Sequence, residues 1–301
     1  MIFETVEATS EMLLARYNNF SRGGKKPQVA IAANRSVLSQ YKDFCKNNYK
    51  YDACVELTKN IMEYLRASFI FDPNPKLMRS YERIGNRFLS RNGANLSAVL
   101  YALKEGNEED KMSLNRLLGW IKQLPQEPYQ AIDFVTTDLH DVIFKIKESD
   151  REEFINARLL SDGTLRTLAV LAALETAEPS SRVIIEEFDN GLHPSRVQML
   201  TQAIQEACDR RKLNVLLTTH NPATLNSLQQ SQLEGVVLCA WDPAQHAFSL
   251  IRLLDLPRYE ELMEQGGLGD VVTRRLIEKY LMPNFEKMHK ENVLAWLDSL
   301  P

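Results

Sequence analysis

The sequence predicts an α/β protein built on a mainly parallel sheet with helices on both faces, joined to a helical subdomain. Three observations carry that expectation. Beyond residue 150, strand-length apolar runs alternate with helix-length segments. The runs RVIIE (182–186) and NVLLTT (214–219) lack polar alternation, as strands covered on both faces do. Before residue 150, apolar residues mostly recur at helical spacing. The chain therefore divides into a mainly helical region with short strands (1–150), an α/β lobe (151–255) and a helical tail (256–301).

Each element has a local reason. EMLLARYNNF (11–20) reads as an amphipathic helix, SRGGKKP (21–27) as a basic turn and VAIAA (29–33) as a strand. Residues 38–67 hold Phe44, Tyr51, Val55, Ile61 and Leu65 at helical spacing. SFIF (68–71) is a short strand stopped by the prolines of DPNP. NLSAVLYAL (95–103) and LNRLLGWIKQL (114–124) are helical, and DVIFKIK (141–147) alternates like a strand. TLRTLAVLAALETA (164–177) is a helix that ends before Pro179. PSRVQMLTQAIQEACDRRK (194–212) opens on proline and closes on basic residues, both favourable helix ends. NPATLNSL starts another helix, and the runs at 236–241 and 248–253, split by DPAQHA, predict a hairpin.

Composition excludes several classes. Of the 301 residues, 44% are hydrophobic and 25% charged, ordinary for a soluble globular chain. A net charge of −4 gives no global attraction to nucleic acid, so DNA binding needs a local basic patch. Cys45, Cys54, Cys208 and Cys239 show no CxxC pairing, which argues against a zinc site or a disulfide framework and suits a reducing cytoplasm. The start lacks a basic and apolar leader, and the longest apolar run, LAVLAAL (168–174), is too short for a bilayer. The expectation is a cytoplasmic protein with no membrane partner.

The chemistry concentrates in three places. VIIEEFDNGLHP (183–194) ends an apolar run in two adjacent glutamates, with Asp189 close behind. That much negative charge must be solvated, paired or bound to a cation. Phosphate hydrolysis asks for such a pair, one carboxylate orienting hydrated Mg²⁺ and another polarising the attacking water. LLSDGTLRTL (159–168) is a small polar loop opening a helix, where free backbone N–H groups suit an anion. TTHNP (218–222) ends a second strand in His220. Singly, each has a plainer reading. SDGT is a helix cap, the glutamates are solvated strand-end acids, His220 belongs to a turn, and His193 with Pro194 starts a helix.

Signature loop, acidic strand end and strand-end histidine, in that order, resemble the C-terminal half of ABC-type ATPases. More narrowly they resemble the soluble group of RecF, SMC and OLD proteins, across roughly residues 70–255. The resemblance implies a P-loop NTPase-like fold that uses ATP and Mg²⁺. It makes Glu186 the Mg²⁺-side acid, Glu187 the general base and His220 a γ-phosphate contact. Ser161, Asp162, Gly163 and Thr164 become the nucleotide-binding signature. Asp189, Asn190, Gly191 and His193 become a loop crossing a dimer interface. The implied partners are a second copy or a complete ATPase subunit, then an effector protein or DNA, as in relatives of DNA repair or phage defence.

Such a site also needs a Walker A loop, GxxxxGK[ST], and these 301 residues contain none. SRGGKKP lacks the required first glycine and the closing Ser or Thr. Residues 1–150 thus resemble a helical subdomain with the remnant of a first lobe. An internal start at Met1, a lobe on another polypeptide and a degenerate site all fit. The alternative function is a non-hydrolysing partner that lends its signature loop. A metal-dependent nuclease would use Glu186, Glu187 and Asp189, but no DxD pair accompanies them. Separately, Arg79, Arg83, Arg87 and Arg91 at spacing four would form a DNA-facing stripe if that stretch were helical, against a reading as salt-bridged or solvated residues.

Overall fold

The computed structural model describes residues 3–18, 26–44, 49–124, 129–149, 152–242, 246–256 and 258–277. Strands β1 (Phe3–Ala8), β2 (Met12–Tyr17) and β3 (Gln28–Ala32) form an antiparallel meander. Within the expected helix over 11–20, residues 12–17 therefore form a strand. Its short apolar run fits either period, and pairing with β1 on one edge and β3 on the other satisfies its backbone in the extended form. Most of the basic turn at 21–27 lies outside the described residues. Helix α1 (Val37–Phe44) packs Val37 against buried Ala15 and Ile31, and α2 (Tyr49–Arg66) follows.

Strand β4 (Ser68–Phe71) stops at the prolines, and the chain passes a 3-10 turn (Leu77–Arg79) into β5 (Glu82–Arg83). Helices α3 (Leu96–Glu105) and α4 (Glu108–Ile121) come next, the second started by an Asn107–Asp110 capping box. Strands β6 (Tyr129–Thr136) and β7 (Asp141–Glu148) pair antiparallel along their length. Short β5 and β8 (Phe154–Asn156) pair with opposite ends of β7.

The four arginines at 79–91 do not share a helix. Arg79 ends a 3-10 turn, Arg83 lies on β5, and Arg87 and Arg91 sit in loops. Arg79, Arg87 and Arg91 pair with Asp162, Asp110 and Glu186, so the salt-bridged reading describes them. Gly85, at φ +126°, is one reason that no helix forms there.

After a second 3-10 turn (Ala157–Leu159), α5 (Asp162–Thr176) is buried on nearly every face, as the continuous apolar run at its centre (168–174) requires. Strand β9 (Arg182–Ile185) precedes α6 (Pro194–Arg211) and β10 (Asn214–Leu217). A parallel sheet runs β10–β9–β4, with Ile185 level with both Phe71 and Leu217. Strand period two sends Phe71, Val183 and Ile185 into the core, whereas Ile70 and Leu216 on the alternate positions stay exposed. The described residues end in α7 (Pro222–Asn226), α8 (Gln230–Leu233), the hairpin β11 (Val237–Asp242) with β12 (Ala247–Arg252), α9 (Tyr259–Glu264) and α10 (Leu268–Thr273), and the expected helical tail beyond 277 lies outside them.

One apolar cluster runs from Phe71 to Leu213, taking in α3, α4, β7, α5, β9 and α6. A smaller one, including Leu233, Leu253, Leu262 and Val271, closes the C-terminal segment. Glu175 of α5 ties three helices by accepting from Arg116 of α4 and Arg210 of α6. No helix among the described residues is long and apolar enough to cross a membrane.

Candidate functional site

The parallel strands deliver the predicted residues to one end of the sheet. Past Ile185 the side chains change from buried apolar to exposed acid, because the chain has left the sheet. Glu186 still donates its N–H to Phe71 O at 3.1 Å, holding it level with the end of β4. Its carboxylate is exposed and lies 3.8 Å from the Arg91 guanidinium.

Glu187 turns the chain. Its φ of +43° is left-handed, uncommon for a residue with a side chain and a store of about 1–3 kcal/mol of strain. Three contacts hold that turn. Its N–H donates to Thr218 Oγ1 at 3.0 Å, its carbonyl accepts from Asn190 N at 2.9 Å, and its Oε2 accepts from Asn190 Nδ2 at 3.1 Å. Oε1 lies 3.5 Å from His220 Nδ1. Within the protein the adjacent glutamates have separate partners, Arg91 for one and Asn190 with His220 for the other.

Phe188 and Asp189 turn inward, at 2% and 3% exposure. The Asp189 carboxylate accepts from Thr219 Oγ1 at 2.8 Å and from Thr224 Oγ1. Its side chain is engaged within the subunit, beside the exposed Asn190 and Gly191 of the same loop. Burial without those hydroxyls would be costly, so it acts as a tether between the 187–192 loop and the segment carrying His220. Asn190, Gly191 and His193 are exposed. Gly191, at φ +73°, suits a residue without Cβ. His193 caps α6, its Nδ1 accepting from Ser195 N at 3.3 Å, so the plainer reading as a helix start is the role observed. A cleft of about 270 Å³ is lined by Asp189–Leu192 and His220–Pro222. A larger depression of about 620 Å³, which includes Gln202, Gln205, Gln229 and Gln232, contains none of the predicted site residues.

The signature loop is built around the start of α5. Ser161 is its N-cap, with Oγ accepting from Thr164 N at 3.1 Å and lying 2.8 Å from Thr164 Oγ1. Thr164 is fully buried, with Oγ1 also 3.3 Å from Tyr129 Oη and 3.4 Å from Arg196 Nη1. Its hydroxyl is engaged inside, so of the four signature residues only Ser161 and Asp162 expose side chains. Gly163 backs onto the other loop: a Cβ there would stand 3.3 Å from Gly191 O and from Leu192 Cδ2. This close approach brings signature loop and acid loop together within one subunit.

Sequence reading missed Arg166, half-buried one turn into α5. Burial lowers its pKa, while Asp72, Glu187, Asp162 and Asp189 oppose that shift. Four acids around the site thus act on this one cation, and its spacing of four from Asp162 was the available signal. Thr218 and Thr219 were equally invisible, because their value lies in which backbone they meet.

Glu186 and Glu187 offer exposed hard oxygen donors. That suits Mg²⁺, which takes one or two carboxylates and completes its shell with water and substrate phosphates. Among the described residues no three His, Cys, Asp or Glu converge as a closed metal cage. The donor set fits an ion held jointly with a nucleotide. Bound there, Mg²⁺ would neutralise phosphate charge.

Residues 62–226 match the family described as "AAA domain, putative AbiEii toxin, Type IV TA system". The chain belongs to this AAA family. The matched span takes in β4, the signature loop, the acid loop and His220. The family brings the P-loop NTPase fold with it. A Helicobacter pylori protein named ATP/GTP phosphatase is similar, 30% identical over 104 residues. That stretch is 34% of this AAA chain and 27% of the relative's length.

Proposed function

We propose that this AAA chain is an ATP-hydrolysing subunit whose nucleotide is held between two subunits and whose hydrolysis switches a partner effector. The observation that carries this reading is the convergence of Glu187 with His220 at 3.5 Å beside the exposed Glu186. Glu187 is the general base, accepting a proton from the attacking water. His220 contacts the γ-phosphate, and Glu186 is the acid on the Mg²⁺ side. Ser161 and the N-terminus of α5 face the nucleotide of the opposite subunit, with Asn190, Gly191 and His193 on the same interface. The phosphate-cradling loop comes from outside these 301 residues, in cis or on a partner. An effector protein is favoured over DNA, since three arginines of the 79–91 stretch are engaged with acids and the family description names a toxin.

The test uses Glu187→Gln with a GxxxxGK[ST] loop supplied in cis or by a partner. ATP should bind while turnover falls by about 10²–10⁴, the usual worth of general-base assistance. Mg-ATP should then accumulate a dimer in size-exclusion chromatography. The 301-residue chain alone should hydrolyse ATP poorly. A completed site that binds no nucleotide would refute the reading. One that dimerises with ATP but never turns over, even with Glu187 intact, would identify the non-hydrolysing partner that lends its signature loop.

A further inference from the structure

Arg79 lies about eighty residues before the signature loop, yet its guanidinium reaches that loop at several points. Nη2 donates to Leu160 O at 2.7 Å and meets Asp162 Oδ1 at 2.6 Å. Nε donates to Arg158 O at 3.3 Å, and Nη1 to Pro75 O at 3.1 Å. Arg158 answers with Nε donating to Arg79 O at 3.4 Å. The two 3-10 turns, Leu77–Arg79 and Ala157–Leu159, are stapled face to face by these reciprocal bonds. The planar fork of arginine serves three carbonyls and a carboxylate at once, which a lysine ammonium cannot do.

We infer that Arg79 is the positioning residue of the signature loop: it fixes the Leu160–Asp162 backbone and cancels the charge of Asp162, so that the loop meets an anion without a free carboxylate. This rests on the proposed nucleotide role of that loop. An acid at the first position of α5 favours the helix but repels phosphate. Pairing with Arg79 keeps the first effect and removes the second. The same segment leads back to β4, whose Phe71 carbonyl accepts from Glu186 N, so one continuous stretch spans acid and signature elements.

Hydrogen–deuterium exchange on the full chain tests the fixing. In Arg79→Lys and Arg79→Ala, amides of 159–165 should exchange about tenfold faster or more, as loss of charge-assisted bonds implies. Peptides of β6 and β7 should stay unchanged. Unchanged exchange at 159–165, or equal acceleration throughout, would overturn the inference. The charge role has its own readout, Mg-ATP-dependent association by sedimentation velocity with the phosphate loop supplied. Arg79→Ala should weaken association about tenfold or more, and adding Asp162→Asn should restore part of it. A double variant no better than the single one would show that the charge is irrelevant. If the parent protein shows no ATP-dependent association, the nucleotide reading fails, while the exchange data still judge the fixing.

Discussion

His220 Nδ1 stands 3.5 Å from Glu187 Oε1, joining the ends of two adjacent parallel strands through side chains alone. The histidine is 83% exposed, so nothing in the core depends on it. Glu187, by contrast, is clamped in a left-handed turn by Thr218 and Asn190. One partner is held by its surroundings and the other projects into solvent.

His220→Ala should therefore separate activity from stability. In the completed site kcat should fall by about 10², the typical worth of one donor to a reacting oxyanion. The melting temperature should match the parent within error. A matching loss of both would show that His220 serves structure.

Ser161→Arg should act across the subunit boundary. It places bulk and charge at the exposed end of the signature loop and leaves its own subunit's acids alone. Mixed with a subunit lacking a working Walker A loop, it should give more ATPase activity than either variant alone. If no mixing ratio does so, the trans arrangement is wrong.

Asp189→Ala removes a buried carboxylate that two threonine hydroxyls serve. Those hydroxyls are left without their acceptor, at a cost of about 1–3 kcal/mol in urea denaturation. Amides of 218–224 should also exchange faster. Wild-type protection in that segment would mean that the tether is unimportant.

Glu175→Ala strands Arg116 and Arg210 beside the core. Removing one member of a buried ionic group costs about 3–5 kcal/mol, enough to show in a single denaturant titration. A loss below 1 kcal/mol would indicate that solvent takes over the arginines.

The acid limb of stability should carry a signature of Asp133. The hydrogen bond from Lys104, chiefly, with further help from Phe134 N and Lys145, lowers its pKa from 3.8 to about 2 against the opposing effect of burial. The folded value lies below the unfolded one, so its contribution is full above about pH 4 and fades as pH falls towards 2. Asp133→Asn should flatten that part of the melting curve while lowering stability at neutral pH. Parallel curves for both proteins between pH 5 and 2.5 would exclude the effect.

The sequence foretold the elements whose residues encode them locally. Buried runs such as RVII, the Ser161 cap and the proline start of α6 are physical instructions within one segment. Met12–Tyr17 reads as helix because so short an apolar stretch carries no period of its own, and β1 and β3 decide its form. Within the site, residue types and order were legible. The inward turn of Thr164 and Asp189 was not, since it depends on hydroxyls and rings brought from Tyr129, Thr219 and Thr224. Arg79 was noticed for its charge, but its partners lie far along the chain.

The register that sets β4 beside β9 also dictates an order of events during synthesis. Ser68–Phe71 leaves the ribosome long before Arg182–Ile185, its hydrogen-bonding neighbour. At about 5–20 residues per second, the earlier strand waits several seconds with Phe69 and Phe71 uncovered. For that interval the strand edge has no parallel neighbour, and pausing between the two segments would lengthen its exposure.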